Sequence, residues 1–432
     1  MALSPAHFHA YRRSQKFLEA LPQQVFMPRS VDPALGLQRT QALLDLLGNP
    51  ERGFRYVHVT GTAGKGTVVA GIAAALHAAG ERVGTFTSPH VTTTLERITV
   101  GAKLTSVQDF LWAFAKVQKA IRTLAKKFQP SHFEALFAMA LLIFQKRKIQ
   151  WAVIEVAAGG KNDPTNIIRP PKLAIITAIG MDHERILGRT RKAITRAKAG
   201  IIKPGCTVIT GVTEPKLLGI IQQQARQARA KVTVVRPSTK LQVGTLRGPA
   251  SQLDAAIIQA ACQFLQLKPE VIQTTLRHLR LPARVERMPD RLPVIIDGSH
   301  NQLKAQALVA ALRTQGIRKV KCIIGITAHK KPQRILRPLL PIVTGWFCTA
   351  SSQPYPPALQ PRELANALRA LGTKKRTSMH HTSLQAFRSA RRSATPADAI
   401  LITGSFYLAG ELRQMWYAER EIVEQRSSFP KK

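Results

Sequence analysis

Acidic side chains are scarce in this chain: 24 aspartates and glutamates stand against 64 lysines and arginines, a formal net charge of +40. Such a balance rules out an evenly paired surface and implies anionic partners or anionic substrates drawn in by the summed field. Aromatic residues are also few, at 6%, which leaves the modest basic clusters at Lys146–Lys148, Lys374–Arg376 and Arg391–Arg392 little to interleave with and argues against a base-stacking surface. The basic residues are therefore read first as a solvated surface, with a nucleic-acid partner not favoured. Cys206, Cys262, Cys322 and Cys348 are scattered without a C-x-x-C pair, which excludes a zinc knuckle or disulfide frame and fits reduced thiols in a cytoplasmic protein. Long apolar runs are missing too. The longest, Ala135 to Phe144, is too short to cross a bilayer and reads as a buried helix, so no membrane partner is expected. The N-terminus has Arg12, Arg13 and Lys16 but no apolar core segment. A secretory signal is not expected, and Phe17–Leu21 reads as a helix of the fold.

What the chain does contain is concentrated in Tyr56–Thr67. A β-branched run leads into Gly61-Thr62-Ala63-Gly64-Lys65-Gly66-Thr67, and an alanine-rich amphipathic stretch follows from Val68 to Ala79, ending at Gly80. This is the pattern of strand, phosphate loop and helix. Glycines let backbone N–H groups curl around phosphate oxygens, the helix N-terminus adds its dipole, and Lys65 supplies a point charge. The Thr67 hydroxyl is placed to reach a Mg²⁺ on the same phosphates. A glycine between the lysine and the threonine sets this loop apart from the commoner G-x-x-x-x-G-K-[ST].

Strand-like runs recur at Trp151–Glu155, Leu173–Ala178, Thr207–Thr210, Val232–Val235, Val294–Ile296, Cys322–Ile326 and Ile400–Thr403, each followed by a helix-like pattern. The alternation predicts an α/β protein with two parallel sheets. At 432 residues there is chain for two full cores. The proline-bearing stretch from Leu281 to Pro293 is the expected hinge, dividing the chain into 1–281 and 282–432, and Pro354–Pro361 is an expected loop.

Further polar clusters punctuate these elements. They are Thr87-Ser88-Pro89-His90 with Glu96-Arg97-Ile98, Glu155 followed by Gly159–Asn166, Asp182-His183, Lys198–Gly205, Arg284, Asp297–Asn301, and Thr403–Leu408. A carboxylate at the C-terminal end of a buried strand beside a phosphate loop is where an α/β fold would hold a metal. Taken singly, each has a plainer reading. Ser88 before proline is a turn residue, His183 a cap or core histidine, Lys198 a surface lysine, Asp297 before glycine a turn, and Ser405 a helix N-cap.

Their order around one phosphate-loop variant is more specific. From about Leu35 to about Leu412 the chain resembles the dihydrofolate synthase/folylpolyglutamate synthase family of Mur-ligase-like, ATP-dependent amide ligases. The resemblance rests on Thr-Ser-Pro-His with Glu-Arg-Ile, Gly-Gly-x-x-Asp-x-Thr-Asn, Lys-Ala-Gly-Ile-Ile-Lys-Pro-Gly and Asp-Gly-x-His-Asn. It implies a P-loop N-terminal ATPase domain, a smaller Rossmann-like C-terminal domain and an active site in the cleft between them. The implied reaction activates a carboxylate of dihydropteroate or a reduced folate with ATP and joins it to L-glutamate, in a monomeric enzyme. It also implies roles. Gly61, Thr62, Gly64, Lys65, Gly66 and Thr67 cradle the ATP phosphates. Thr67, Ser88 and Glu155 ligate one Mg²⁺ and His183 a second. Lys198 is the lysine that becomes carbamylated and so able to ligate a cation. Arg284 and Asp297 contact the nucleotide, while His300 and Ser405 lie near the incoming glutamate. Lys65, Lys198, His183 and His300 form the implied catalytic set.

The chain departs from the family pattern at Ala63, Lys161, Arg189, Ala197, Ala250-Ser251, Asp254, Ala283 and His329-Lys330-Lys331. None of these removes an implied metal ligand. Two other readings stay open at this point: a catalytically reduced homologue serving as a basic RNA-binding component, and a related amide ligase with a different acceptor.

Overall fold

The computed structural model describes residues 3–22, 34–353 and 357–431. Eight strands build the first sheet: β1 (Arg55–Thr60), β2 (Val83–Phe86), β3 (Ile98–Val100), β4 (Lys103–Leu104), β5 (Trp151–Glu155), β6 (Leu173–Ile176), β7 (Thr207–Thr210) and β8 (Lys231–Val234). Their order is β4-β3-β2-β5-β1-β6-β7-β8. β2, β5, β1, β6, β7 and β8 run parallel, and β3 and β4 add an antiparallel edge. The central strands β1, β5 and β6 are buried almost end to end, as apolar runs covered by helices on both faces must be.

The helix Lys65–Ala78 covers one face and packs against the helices Pro249–Phe264 and Pro269–His278. The helix His132–Lys146 lies in the core on the other face, buried from His132 through Phe144, as its apolar run predicts. A capping box at Ser131 and Glu134 starts it. Glu134 also pairs with Arg39, 2.6 Å away and nearly inaccessible.

A second sheet contains β9 (Glu286–Arg287), β10 (Val294–Ile296), β11 (Val320–Ile324), β12 (Val343–Cys348), β13 (Thr377–Met379) and β14 (Ala399–Thr403), in the order β13-β12-β11-β14-β10-β9. All pairings are parallel except β9 with β10. Part of the expected hinge therefore forms the antiparallel edge of this sheet. The expected loop at Pro354–Pro361 falls partly outside the described residues, since 354–356 are not among them; Pro361 opens the helix Pro361–Ala370. All four cysteines are buried and unpaired. Among the described residues no helix is long and apolar enough to cross a membrane.

The two sheets are tied together beyond the chain between them. Ile422 and Val423, in the last helix, pack into the core beneath the first sheet. Arg413, fully buried, donates from Nε and Nη2 to the Glu286 carboxylate at 2.9 Å and lies over the Tyr417 ring. Its Nη1 reaches Thr92 Oγ1 at 3.3 Å, so one guanidinium joins the second sheet's edge strand to a loop of the first. Removing it leaves the Glu286 carboxylate buried and unpaired. Arg413→Ala is expected to lower unfolding free energy by about 3–5 kcal/mol, measured by urea denaturation. A loss under about 1 kcal/mol would place this pair among those of surface worth.

Candidate active site

The C-terminal ends of both parallel sheets open into one cavity of about 560 Å³. Crevices of this kind, outside the carboxyl ends of strands, are where open α/β sheets bind ligands. The loop after β1 forms one wall. Gly64 sits at φ +87°, in the left-handed region, and a Cβ there would lie 2.2 Å from Asp254 Oδ1, so this position needs glycine twice over. Lys65 opens the helix and points its ammonium at Glu155, 3.7 Å from Oε1. Glu155 ends β5 beside β1 and accepts a hydrogen bond from Ser88 N at 3.1 Å. Thr67, Ser88 and Glu155 all line this cavity, Ser88 bonded to Glu155 and Thr67 to Asp254.

The loop carrying Ser88 is shaped by its own motif residues. Glu96 accepts from Val91 N and Thr92 N, both at 2.8 Å, and from Ser428 Oγ at 2.9 Å. Arg97 Nε donates to His90 Nδ1 at 3.0 Å. The Gly159–Asn166 stretch is likewise a built turn. Asp163 accepts from Ala158 N at 2.8 Å and Thr165 N at 3.0 Å, and Lys203 Nζ donates to Asn166 O at 2.6 Å. A Cβ on Gly160 would meet Lys198 O at 2.8 Å, and one on Gly200 would meet Lys161 Cβ at 2.5 Å. These two glycines let the turn press on the helix Arg191–Ala199 and set the height of Lys198.

Lys198 is buried behind the cavity wall, with Nζ donating to Gly61 O at 2.8 Å. Of the residues to which the resemblance gives site roles, Gly61 and Lys198 do not line the cavity and the others do. Burial, helped by the nearby Lys65 charge, pushes the Lys198 amine down to about 7. His183 has a left-handed backbone at φ +49°, uncommon away from glycine. Burial lowers its imidazole to about 3, and its Nδ1 is buried without a hydrogen-bond partner. A neutral ring with an unused buried nitrogen fits a cation ligand, and Glu155 with two hydroxyls fits a hard one. No cluster of three or more His, Cys, Asp or Glu side chains suited to a metal occurs among the described residues.

The second sheet supplies the opposite wall. Asp297, at the end of β10, accepts from Ser299 N and Val285 N at 2.9 Å each, while Arg284 lies over the Phe406 ring. His300 Nδ1 lies 2.8 Å from Gly298 O. Ser405 is the N-cap of the helix Phe406–Arg413, accepting from Leu408 N at 3.1 Å, as its plainer reading had it, and also faces the cavity. Asp182 bridges the walls, accepting from Asn301 Nδ2 at 2.9 Å and from the Lys330 ammonium. Glu184 pairs with Lys331 at 2.9 Å and with Arg334. The residue Lys331, a departure from the family pattern, is thereby accommodated by an acid of the facing wall.

Asp254, another departure, is half-buried against Gly64, and desolvation raises its carboxyl to about 7. Ser251 turns its hydroxyl to the backbone, donating to Leu246 O at 3.2 Å and accepting from Val243 N at 3.1 Å. Lys304 and Lys330 were not singled out for the site by sequence. Lys304 falls four residues after His300, a spacing that was available as a signal; Lys330 reaches the site only because the β11 end folds across it.

Two nucleotide-type sheets meeting at a phosphate loop describe a Mur-type ligase, and the sequence comparisons agree. Residues 59–243 match the Mur ligase middle domain, and residues 283–406 match the Mur ligase glutamate ligase domain. Folylpolyglutamate synthase from Lacticaseibacillus casei is 32% identical over 413 residues, covering 87% of this chain and 93% of that protein. The chain belongs to the folylpolyglutamate synthase/dihydrofolate synthase family. Among solved structures, Mycobacterium tuberculosis folylpolyglutamate synthase complexed with ADP superposes with a TM-score of 0.86 at 26% identity, covering 96% of this chain and 99% of that one. The bifunctional synthase of Yersinia pestis complexed with AMPPNP and Mn ion gives a TM-score of 0.80 at 25% identity, with coverage of 96% and 99%.

Proposed function

We propose that this protein is an ATP- and Mg²⁺-dependent ligase that adds L-glutamate to dihydropteroate, to reduced folates, or to both. The observation that carries this reading is the single cavity in which the phosphate loop of one sheet faces His300, Arg284 and Ser405 of the other. Residues 1–281 act as the ATP-binding domain and 282–432 as the glutamate-ligase domain; the two sheets fall on either side of that division. We take the protein to act as a monomer, and the buried free thiols suit the cytoplasm.

Lys65 and the N–H groups of Gly64–Thr67 hold the nucleotide phosphates, and Arg284 approaches from the other wall. The acceptor's carboxylate oxygen attacks the terminal phosphorus and ADP leaves, giving an acyl phosphate. The glutamate amine then attacks the acyl carbon, inorganic phosphate departs and the amine gives up a proton. The chain's part is to neutralise charge and align reactants in a cleft that excludes water. Thr67, Ser88 and Glu155 would hold one Mg²⁺, with His183 and carbamylated Lys198 toward a second. Bound there, Mg²⁺ would offset phosphate charge. The test is glutamate-dependent phosphate release from ATP, run separately with dihydropteroate and tetrahydrofolate. Turnover with one, both or neither assigns synthase, polyglutamylation or a different acceptor.

Asp254 makes a pH prediction. Its carboxyl is neutral below about pH 7 and becomes an anion above it, beside the loop that holds phosphates. ATP affinity should weaken by up to about tenfold as pH rises from 6 to 8, and Asp254→Asn should flatten that profile. Equal slopes in both proteins, by equilibrium binding, would remove Asp254 from nucleotide binding.

A further inference from the structure

Lys304 lies on the first turn of the helix Gln302–Thr314 and lines the cavity. The Lys304 Nζ lies 3.1 Å from His300 Nε2. Because His300 Nδ1 donates to Gly298 O at 2.8 Å, Nε2 holds the ring's lone pair and receives the Lys304 proton. That partner is neutral. No carboxylate stands within 4.0 Å of the Lys304 ammonium among the described residues, whereas Lys65 has Glu155 and Lys330 has Asp182. The charged groups acting most strongly on Lys304 are Lys65 and Arg284, the cations of the phosphate loop and of the facing wall. A half-buried ammonium flanked by two cations and capped by a neutral imidazole is an incomplete arrangement, because a partly desolvated charge is costly without a counter-ion.

We propose that Lys304 completes the site by contacting the terminal phosphoryl group of ATP, and the same group after its transfer to the acceptor carboxylate, from the side opposite Lys65. An anion placed among Lys65, Arg284 and Lys304 supplies the counter-charge that Lys304 lacks and adds to the one Lys65 has in Glu155, and a phosphoryl group is the anion that arrives beside the loop. The hydrogen bond from Lys304 also leaves His300 neutral and aims the ammonium from the second wall. Lys304 thus couples closing of the cleft to the presence of the third phosphate. This rests on the ligase reading above.

The experiment compares the affinities of ADP and of a non-hydrolysable ATP analogue, each with Mg²⁺, for the full-length protein and for Lys304→Met, with Lys304→Gln as a second variant should methionine impair folding. The expected result is a loss of about tenfold or more for the analogue, a change under about twofold for ADP, and a fall in kcat; Lys304→Arg should keep most of the analogue affinity. Equal loss for both nucleotides, or none, overturns the assignment. A change confined to the KM for glutamate overturns it too, moving Lys304 to the amino-acid carboxylate. If the unaltered protein binds neither nucleotide, the ligase reading itself fails, an outcome distinct from the others.

Discussion

Lys198→Ala is expected to cut glutamate-dependent ADP formation by about 10²–10³-fold or more, with partial recovery when acetate or propionate is supplied. The argument starts from burial. Lys198 is packed behind the phosphate loop, where its Nζ donates to Gly61 O, and its amine is held near 7 by desolvation and by Lys65. At neutral pH such an amine has a substantial unprotonated fraction, the form that adds CO₂, and the carbamate it gives is an anion able to face a hard cation. Alanine leaves a space that a short carboxylate can enter. The pH dependence has a defined sign. Below about pH 7 the amine is protonated and cannot carry CO₂, so activity should fall on the acid side, and bicarbonate should restore activity to CO₂-depleted enzyme above that pH but not below it. Activity of Lys198→Ala above about a tenth of the original would end the carbamate proposal.

Glu155→Gln should raise the Mg²⁺ concentration needed for half-maximal rate and lower kcat by about 10²–10³-fold, with little change in thermal stability. Glutamine keeps the shape and a carbonyl acceptor for Ser88 N, so the loop stays in place. What goes is the negative charge that faces Lys65 and would hold the cation with Thr67 and Ser88. Metal-free ADP binding should be unchanged or slightly tighter, since a carboxylate near the phosphates has been removed. Rates measured over a Mg²⁺ titration check this. An unaltered Mg²⁺ dependence would mean that Glu155 only positions Ser88 and Lys65.

Most of the strands legible in the sequence were buried ones, with the exposed β8 an exception. Trp151–Glu155, Thr207–Thr210 and Val294–Ile296 have the bounds that their apolar runs predict, because strands covered on both faces write themselves as unbroken hydrophobic segments. The edges were harder. β3, β4 and β13 are short and half exposed, and β9 hides in a proline-bearing stretch. β12, well buried, was also missed: Thr344 and Gly345 interrupt its apolar pattern. In the site, residues grouped in local motifs were readable. Asp254, Lys304 and Lys330 acquire their roles from neighbours far along the chain, and local spacing carries little trace of those.

By itself, the sequence determined the local devices of this protein. Gly64 before Lys65, Asp163 closing its turn, Asn301 and Ser405 capping helices, and the runs that become central strands all act over a few residues, where backbone geometry and hydrogen-bonding capacity are properties of the segment. Tertiary structure alone decided the charge environment. Lys198 is a depressed amine because the fold buries it behind the phosphate loop beside Lys65. Asp182 holds the two walls together through Asn301 and Lys330, and Lys304 stands without a carboxylate among other cations. Desolvation and Coulomb energy depend on distance through space, and that distance exists only once both sheets have brought their C-terminal ends to one cavity.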